Sequence, residues 1–462
     1  MNTAEFSSLP LKPALLESIE SLGYTHLTPI QAESLPHILE GKDVIAQAKT
    51  GSGKTATFGI GLLSRLDLGS FKVQAMVICP TRELADQVCK EIRQLARFTQ
   101  NIKVLALCGG TPFAPQRSSL EHGVHVVVGT PGRLQEHLQK HSLRLEHLKV
   151  LVPDEADRML DMGFADIITD VISHAPSHRQ TLLFSATYAE PIRAMSQKFQ
   201  FKPVSISVET SHRDNDIEQR FHRVDKTKRL NALGYLLAYH RPESTAVFCN
   251  TKRECQDVAD MLVHCGFSVQ ALHGDLEQKD RDQVLVRFAN KSCSILVATD
   301  VAARGLDIKD LQAVINYELP FDPEVYVHRI GRTGRAGAKG LALSLVADAE
   351  QNRVKAIEDY VNATVQWDEI APFRLDREQR FEPPMVTLWI DGGRKDKMRP
   401  GDILGALTGA GGIAGSEVGK IDVFDRQAYV AIKRDSADQA LTCLRKGKIK
   451  GRNFNVRKSQ WG

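Results

Sequence analysis

A glycine-rich segment at residues 48–55 restricts the fold of this chain more than any other feature. It reads Ala-Lys-Thr-Gly-Ser-Gly-Lys-Thr and follows a strand-like apolar run at residues 43–47. It departs from the GxxxxGK[ST] phosphate-loop pattern only at its first position, where Ala48 stands. Because such a loop joins a strand to a helix, the segment predicts an α/β fold built on a parallel sheet.

The residue types of this loop suit a triphosphate. Gly51 and Gly53 let backbone N–H groups approach phosphate oxygens without an intervening Cβ. Lys54 supplies positive charge to the β- and γ-phosphates, and Thr55 offers a hydroxyl to Mg²⁺. The following helix directs its positive dipole end at the phosphates. The predicted nucleotide-binding residues of the loop are Ala48, Thr50, Gly51, Ser52, Gly53, Lys54 and Thr55.

An acidic segment, Asp-Glu-Ala-Asp at residues 154–157, begins 100 residues after Lys54 and also follows an apolar run. Asp154 suits a direct or water-mediated contact to Mg²⁺. Glu155 suits the group that orients or deprotonates an attacking water. Adjacent acids on a loop are ordinarily solvated surface charges. Their place after a strand, in a chain with a phosphate loop, favours ATP hydrolysis instead.

Two series of apolar runs alternate with helical patterns and predict doubly wound parallel sheets. The last 80 residues follow the order strand, helix, strand, strand, helix, strand, as in a small four-stranded RNA-binding module. The predicted fold class is α/β, with two tandem RecA-like domains (residues 1–208 and 209–371), a linker (372–384) and a C-terminal α+β RRM-like domain (385–462).

Composition limits the class of protein. No apolar run approaches the roughly 20 residues of a membrane span. The N-terminus lacks a basic-then-apolar secretory pattern, so a cytoplasmic location without membrane association is predicted. Eight scattered cysteines without a CxxC pair predict buried reduced thiols and no zinc site.

Charge is unevenly distributed along the chain. Residues 383–462 contain 15 Lys/Arg and 8 Asp/Glu, a net +7, while the other residues contain 45 and 48, a net −3. A basic tail on a near-neutral body indicates a polyanion partner for the tail. A solvated basic surface is the alternative interpretation.

Further motifs give the first 208 residues a resemblance to the DEAD-box RNA helicases. Residues 23–31, with Phe6 placed 17 positions before Gly23, resemble the adenine-reading motif of that family. The resemblance implies that Phe6 stacks on the adenine and that Gln31 hydrogen-bonds its edge. Three segments resemble RNA-contacting motifs, namely residues 80–85, 109–110 and 130–133. Ser185-Ala-Thr187 resembles the motif that couples hydrolysis to strand separation.

The second half continues the resemblance in the family's order, at residues 247–251, 278–281, 298–307 and 328–335. It implies that Arg332 and Arg335 are arginine fingers, which stabilise charge on the γ-phosphate once the two domains close over ATP. These two join Lys54 and Glu155 as the expected catalytic residues. It further implies that Asp307 contacts the ribose and that His328 bridges to the first domain.

The implied RNA contacts are directed at the RNA backbone. The motif residues are mostly small or hydroxylated, which suits hydrogen bonds to phosphate and 2′-OH groups and not to base edges. The core is therefore expected to be nearly blind to sequence and to pry a short duplex apart locally. The expected RNA-binding residues of the core are Pro80, Thr81, Arg82, Gly110, Thr130, Arg133, Thr251, Gly274, Arg281 and Thr299.

The tail resembles the C-terminal module of the bacterial DbpA subfamily, which recognises a hairpin of large-subunit ribosomal RNA. The similarity includes residues 419–424 and 428–432. Alternation places Trp389 and Tyr429 on the open face of the sheet, where a base could stack. Packing inside the protein is the equal alternative for both residues, with the basic runs at 394–399 and 445–450 then binding RNA.

Pro153 is a departure from the family pattern, which has an aliphatic residue or Met before the acidic motif. Proline removes a ladder donor and is unusual in a central strand. Two interpretations remain open: the strand has already ended at Pro153, or the proline shifts Asp154 and weakens ATP turnover.

Together these features predict an RNA-dependent ATPase and RNA helicase that uses ATP and Mg²⁺ to unwind or remodel short RNA duplexes. Its expected target is large-subunit (23S class) ribosomal RNA during ribosome assembly, and its expected partners are a ribosomal RNA hairpin and the pre-ribosomal large subunit. The chain is expected to act as a monomer. The alternative is an ATP-gated RNA clamp or annealing chaperone, since domain closure on RNA serves both activities. A DNA helicase is a third interpretation, which the RNA-type tail disfavours.

Overall fold

The computed structural model describes residues 4–48, 52–188, 190–208, 217–303, 311–334, 339–370, 382–409 and 412–459. These residues form two compact units, one ending at residue 208 and the other beginning at residue 217. No helix in the described ranges is both long and apolar enough to cross a membrane. All eight cysteines are free thiols, and six of them are buried, as the scattered spacing predicted.

The first unit is built on a seven-stranded parallel sheet in the order β3-β4-β2-β5-β6-β1-β7. The phosphate loop follows β1 and the acidic motif follows β5, as the apolar runs predicted. The strands are β1 (Val44–Gln47), β2 (Ala75–Ile78), β3 (Val104–Leu107), β4 (Val126–Gly129), β5 (Val150–Pro153), β6 (Gln180–Ser185) and β7 (Val204–Ser207).

Helices cover both faces of this sheet because its strands are apolar at consecutive positions. Val44 and Ala46 of β1 enter one hydrophobic core, while Ile45 between them enters the core on the opposite face. The helices are α1 (Pro13–Ser21), α2 (Pro29–Leu39), α3 (Lys54–Ser64), α4 (Arg82–Leu95), α5 (Phe113–Glu121), α6 (Pro131–Gln139), α7 (Ala156–Asp161), α8 (Ala165–Ser173) and α9 (Glu190–Phe199).

The second unit begins with a six-stranded parallel sheet in the order β10-β11-β9-β12-β13-β8. Its strands are β8 (Ile217–Arg223), β9 (Thr245–Cys249), β10 (Val269–Leu272), β11 (Ile295–Thr299), β12 (Ala313–Asn316) and β13 (Gly340–Val346). Its helices are α10 (Arg229–His240), α11 (Lys252–His264), α12 (Gln278–Ala289), α13 (Asp300–Ala303), α14 (Pro323–Ile330) and α15 (Gln351–Val361).

The tail folds as a four-stranded antiparallel sheet in the order β15-β16-β14-β17, with two helices packed on one face. The predicted order of elements is confirmed, and β15 and β16 form a hairpin across residues 424–427. The elements are β14 (Met385–Ile390), α16 (Pro400–Thr408), β15 (Val418–Val423), β16 (Ala428–Lys433), α17 (Ala437–Lys446) and β17 (Val456–Lys458).

Candidate active site and nucleic-acid interface

The carboxyl edge of the first sheet divides the predicted site residues into two neighbouring groups. Strands β5, β6 and β1 are adjacent, and their ends carry the acidic motif, residues 185–187 and the phosphate loop. Strands β3, β4 and β2 are also adjacent, and their ends carry residues 109–110, 130–133 and 80–85. Ligands bind at this edge of open α/β sheets. The strand order therefore places the predicted nucleotide motifs and the predicted RNA motifs side by side where ligands bind.

The described part of the phosphate loop combines a left-handed glycine with a buried lysine. Gly53 has a φ of +97°, and a Cβ there would lie 2.7 Å from Gln31 Nε2, so only glycine suits this position. Lys54 begins α3 and is buried. The Ser52 hydroxyl is buried and has no partner among the described residues, which fits a group that binds an absent phosphate. Thr50 and Gly51 lie outside the described residues.

Gln31 joins the adenine-reading segment to the phosphate loop. Its side-chain oxygen accepts a hydrogen bond from the Thr28 backbone at 2.9 Å, and its amide donates to the Gly53 carbonyl at 3.4 Å. The Thr28 hydroxyl donates to the Ser52 carbonyl at 2.8 Å. Phe6 is 4% exposed and stacks on Tyr24, with ring centroids 6.4 Å apart. The capping box of α2 therefore holds the loop, and Phe6 stacks on protein in this structure.

The acidic motif is buried, contrary to the ordinary behaviour of adjacent loop carboxylates. Asp154 is 3% exposed, and its Oδ1 accepts a hydrogen bond from the Glu155 N–H at 3.0 Å. Burial raises the pKa of Asp154 to about 7, although the Lys54 ammonium opposes that rise. Glu155 has a left-handed backbone, with φ of +51°, and its carboxylate accepts from Arg158 at 2.9 Å. Arg158 is a partner that sequence reasoning missed.

Asp157 links the acidic motif to the predicted coupling motif. Its Oδ2 accepts a hydrogen bond from the Ala186 N–H at 3.0 Å. The Ala186 carbonyl accepts from Gln47 of β1 at 3.3 Å. The Ser185 hydroxyl accepts from the Thr187 N–H at 3.4 Å, and the Ser185 carbonyl accepts from the Ala48 N–H at 3.0 Å. A continuous set of hydrogen bonds therefore connects the acidic motif, residues 185–187 and the start of the phosphate loop.

The predicted RNA-contacting arginines of the first unit lie against glycine and backbone groups. Gly110 has a φ of +74°, and a Cβ there would lie 1.8 Å from Arg82 Nη1, so the glycine leaves room for this guanidinium. Arg133 donates to the Thr111 carbonyl at 3.1 Å and to the Gln116 side chain at 2.7 Å. It also pairs with Glu136 at 3.0 Å. Thr81 caps α4, and Thr130 precedes α6.

The second sheet gathers its predicted RNA residues in the same way. Thr251 follows β9 and caps α11, Gly274 follows β10, and Thr299 ends β11; these three strands are adjacent. Thr251 and Gly274 are exposed. Arg281 lies in the first turn and a half of α12. The topology therefore brings residues from three separate motifs to one edge of the sheet.

Arg329 organises this edge and had no role in the sequence analysis. Its guanidinium donates twice to Asp300 at 2.7 Å, to Asn250 at 3.0 Å and to the Glu318 carbonyl at 2.7 Å. It is 2% exposed. The available sequence signal was an arginine at an inward position of the apolar-faced helix α14, next to His328.

The predicted arginine fingers are only partly described. Arg332 is 8% exposed in the turn after α14, and its carbonyl accepts from the Leu311 N–H at 3.1 Å. His328 lies 3.8 Å from Glu324, one turn earlier in α14. Arg335 and Asp307 lie outside the described residues, so their roles stay predictions.

The tail's sheet face is not open, which corrects the expectation for Tyr429. Tyr429 is 1% exposed, and burial together with Asp282 of α12 raises its pKa to about 12. On the same face, the Thr387 hydroxyl bonds to Ser292 at 2.6 Å and to Asn290 at 3.2 Å. Periodicity identified the outward face correctly, but the preceding domain covers it. Trp389, opposite Tyr429, remains half-buried.

The chain matches three protein-family models in succession. They are DEAD/DEAH box helicase over residues 28–195, Helicase conserved C-terminal domain over residues 228–337, and DbpA RNA binding domain over residues 387–458. The first match contains the predicted site residues at the edge of the first sheet, the second contains those at the edge of the second sheet, and the third contains Trp389 and Tyr429 of the tail.

Relatives and solved structures agree with these matches. The chain is 54% identical over 453 residues to the ATP-dependent RNA helicase DbpA of Escherichia coli (strain K12), covering 98% of this chain and 99% of that relative. It is 35% identical over 477 residues to DbpA of Bacillus subtilis (strain 168), covering 99% of each. A structure of S. cerevisiae Dbp5 bound to RNA and ADP BeF3 shares 31% identity with a TM-score of 0.73, covering 79% of this chain and 96% of that chain. The chain therefore belongs to the DEAD-box ATP-dependent RNA helicases of the DbpA type, which are RNA-dependent ATP hydrolases.

Proposed function

We propose that ATP binds at the carboxyl edge formed by β1, β5 and β6. Lys54 and the loop N–H groups hold the phosphates, Phe6 stacks on adenine, and Gln31 reads its edge. Glu155 orients or deprotonates the attacking water. Lys54 is buried in the segment after β1, and Asp154 and Glu155 are buried in the segment after β5, with only β6 between these two strands. This arrangement is the observation that supports the assignment.

Mg²⁺ fits the donors at this edge. Mg²⁺ takes one or two carboxylates together with substrate phosphates and waters, so it needs no cage made wholly of protein ligands. Asp154 would hold it with the Thr55 hydroxyl. The ion would polarise the phosphoryl oxygens and neutralise their charge. The burial of Asp154 supports this assignment, because a nearby cation stabilises a buried carboxylate.

Domain closure brings the second half of the site to ATP. Arg332 and Arg335 stabilise charge on the γ-phosphate, Asp307 contacts the ribose and His328 bridges the domains. The RNA backbone lies along Thr81, Arg82, Gly110, Thr130 and Arg133 of the first domain and Thr251, Gly274, Arg281 and Thr299 of the second. Closure then separates short duplexes locally.

The substrate we propose is large-subunit ribosomal RNA, remodelled while the subunit is assembled. The match of residues 387–458 to the DbpA RNA binding domain and the +7 charge of residues 383–462 support it. We propose that the tail captures a ribosomal RNA hairpin and that the protein acts in the cytoplasm as a monomer. The domain boundaries we propose are residues 1–208, 209–371, 372–384 and 385–462.

The test compares ATP hydrolysis stimulated by transcripts of large-subunit rRNA, small-subunit rRNA and duplex DNA of equal length. We expect the large-subunit transcripts to stimulate at the lowest concentration, and deletion of residues 383–462 to abolish that preference. Equal stimulation by both rRNAs would refute the proposed substrate.

The catalytic assignment is tested separately. Arg332→Ala should lower RNA-stimulated phosphate release by about 10³-fold or more, as for other arginine fingers. Arg117→Ala, which removes an exposed arginine of α5, is the matched control. Unimpaired phosphate release in the Arg332 variant would remove the finger from the mechanism.

A further inference from the structure

A cavity of about 440 Å³ lies where the tail meets α12 of the preceding domain. Trp389 of β14, Arg457 and Lys458 of β17, and Arg445 of α17 line it from the tail. Gln283 of α12 lines it from the helicase domain. We call it the junction cavity. Its volume falls in the range of pockets that hold small ligands, about 300–1,000 Å³.

The walls of the junction cavity combine a flat stacking surface with positive charge. The Arg457 guanidinium lies over the Trp389 ring, 4.5 Å from its centroid. The Trp389 indole N–H donates to Gln427 at 3.1 Å, so the ring orientation is fixed. Bases stack on aromatic rings and on arginine planes, and Arg457 is exposed on its outer side.

The other two cations suit a phosphate. Arg445 uses only its Nε–H on the Val456 carbonyl, at 2.7 Å, and its side chain is otherwise exposed. Lys458 pairs with Asp438 at 2.8 Å, but the Asp438 side chain is 84% exposed, so this pair contributes little stability and can be exchanged for a ligand.

The docking contacts hold the two sides of the junction cavity in place. Thr387, two residues before Trp389, is buried against Ser292 and Asn290, and its carbonyl accepts from the Ser459 N–H at 2.8 Å. The Tyr429 ring is buried near Asp282, the neighbour of Gln283. The α12 wall of the cavity is therefore held against the tail by these contacts.

We propose that the junction cavity binds one unpaired nucleotide of the RNA, with its base stacked on Arg457 and Trp389 and its phosphate at Arg445 and Lys458. Gln283 offers an amide to the polar edge of that base. The tail's RNA site is thus completed by a residue of the helicase domain. This inference rests on RNA binding by the tail and does not depend on which RNA the tail prefers.

The test measures binding of the full-length protein to a fluorescein-labelled single-stranded 12-nucleotide RNA and to the most stimulating rRNA transcript, by fluorescence anisotropy. Arg457→Gln should weaken binding about tenfold, the value of one lost stacking contact. Arg445→Gln should lower the slope of log Kd against log salt by about one, as for one lost phosphate contact.

Gln283→Glu tests the composite nature of the site, because it places a negative charge in the cavity that receives the nucleotide and its phosphate. It should weaken binding about fivefold, since a like charge opposes the phosphate. The loss should disappear in the Arg457→Gln background, because residues of one site are not additive. Gln351→Glu, at the exposed start of α15, is the matched control and should bind as the parent does.

Circular dichroism and ATP hydrolysis without RNA check that each variant is folded. Unchanged affinity in Arg457→Gln and Gln283→Glu for both probes would overturn the junction cavity as an RNA site. A Gln283→Glu effect that persists in the Arg457→Gln background would place Gln283 in the core's RNA path, and the composite site would be wrong. Neither result bears on rRNA preference, which the transcripts test separately.

Discussion

At the scale of single residues, buried arginines matter as much as the motif residues chosen from the sequence. Arg329 satisfies three groups from three different segments, and Arg158 neutralises Glu155 inside the first domain. A guanidinium suits these sites because its planar fork donates in several fixed directions. Such residues hold in place segments that carry the proposed catalytic and RNA-contacting groups.

Replacing Arg329 should therefore destabilise the second domain. We expect Arg329→Met to lower the free energy of unfolding by about 3 kcal/mol, because Asp300 and Asn250 lose a buried partner. Arg329→Lys should recover only part of this loss, since an ammonium cannot bind the carboxylate with two parallel bonds. Urea unfolding followed by circular dichroism measures both changes.

The control for Arg329 is Arg253→Met, because the Arg253 side chain is 93% exposed. If Arg329→Met were as stable as that control, the buried network would have no role in stability.

At the scale of elements, β5 explains how the chain accommodates Pro153. Pro153 is the last residue of the strand and pairs with Ile78 of β2. The Val150 N–H donates to the Gln74 carbonyl and the Asp154 N–H to the Ile78 carbonyl, both on the β2 side of β5. Because backbone N–H groups alternate in direction along a strand, the nitrogen of residue 153 points toward β6. Pairing between β5 and β6 stops at Leu151, so the missing proline donor removes no ladder bond.

We accordingly expect Pro153→Leu to leave the rate of RNA-stimulated ATP hydrolysis within about twofold of the parent, a change below 1 kcal/mol. Val152→Pro is the contrasting variant, because its N–H faces β2. It should lower the free energy of unfolding by about 2 kcal/mol or more, because the Met76 carbonyl would lose its hydrogen-bond donor. A faster Pro153→Leu enzyme would show that the proline displaces Asp154.

Helix α6 contains a buried histidine that makes the first domain sensitive to acid. His137 contacts Gln116 at 2.9 Å and Ser142 at 2.8 Å, and Phe113 stacks on its ring. Arg133, Glu136 and Lys140 are the charged groups that act on it. Burial, with Arg133, lowers its pKa from the usual 6.5 to about 4.

The unfolded chain takes up this proton near pH 6.5, whereas the folded chain resists it until about pH 4. The stability that the neutral His137 contributes is therefore fully present above pH 6.5 and is lost as the pH drops toward 4. We expect His137→Gln to reduce the fall in unfolding free energy over this range, measured by urea titration. His174→Gln, at the exposed histidine directly after α8, should leave the fall unchanged. Equal slopes in all three proteins would contradict the assignment.

At the scale of the whole molecule, the two candidate activities differ in whether the proposed closure of the domains over ATP separates RNA strands or only clamps RNA. Glu155→Gln should block hydrolysis while leaving ATP and RNA binding intact. We expect this variant to displace at most one short strand per ATP bound and to show no multiple turnover, measured by release of a labelled strand.

Duplex length provides the second measurement. Because each added base-pair step costs about 1 to 2 kcal/mol, local separation should fail steeply as the duplex grows beyond about 10 base pairs. The parent enzyme serves as the control on the same substrates. Processive unwinding of much longer duplexes would exclude local separation, and repeated turnover by Glu155→Gln would favour the clamp.

The sequence by itself determined the architecture and the choice of candidate site residues. Apolar runs identified the strands of both parallel sheets, since a strand buried on both faces is apolar along its whole length. The glycine and lysine of the phosphate loop, and the acids after β5, predicted the proposed nucleotide site because their chemistry depends on residue type and local order.

Only the tertiary structure decided which side chains meet. It placed Arg158 on Glu155 and Arg329 on Asp300, since hydrogen bonds between distant segments leave no local pattern. It also covered Tyr429 with α12. Alternation reports which face of a strand a residue occupies, but whether another domain lies on that face depends on packing between segments more than 100 residues apart in the chain.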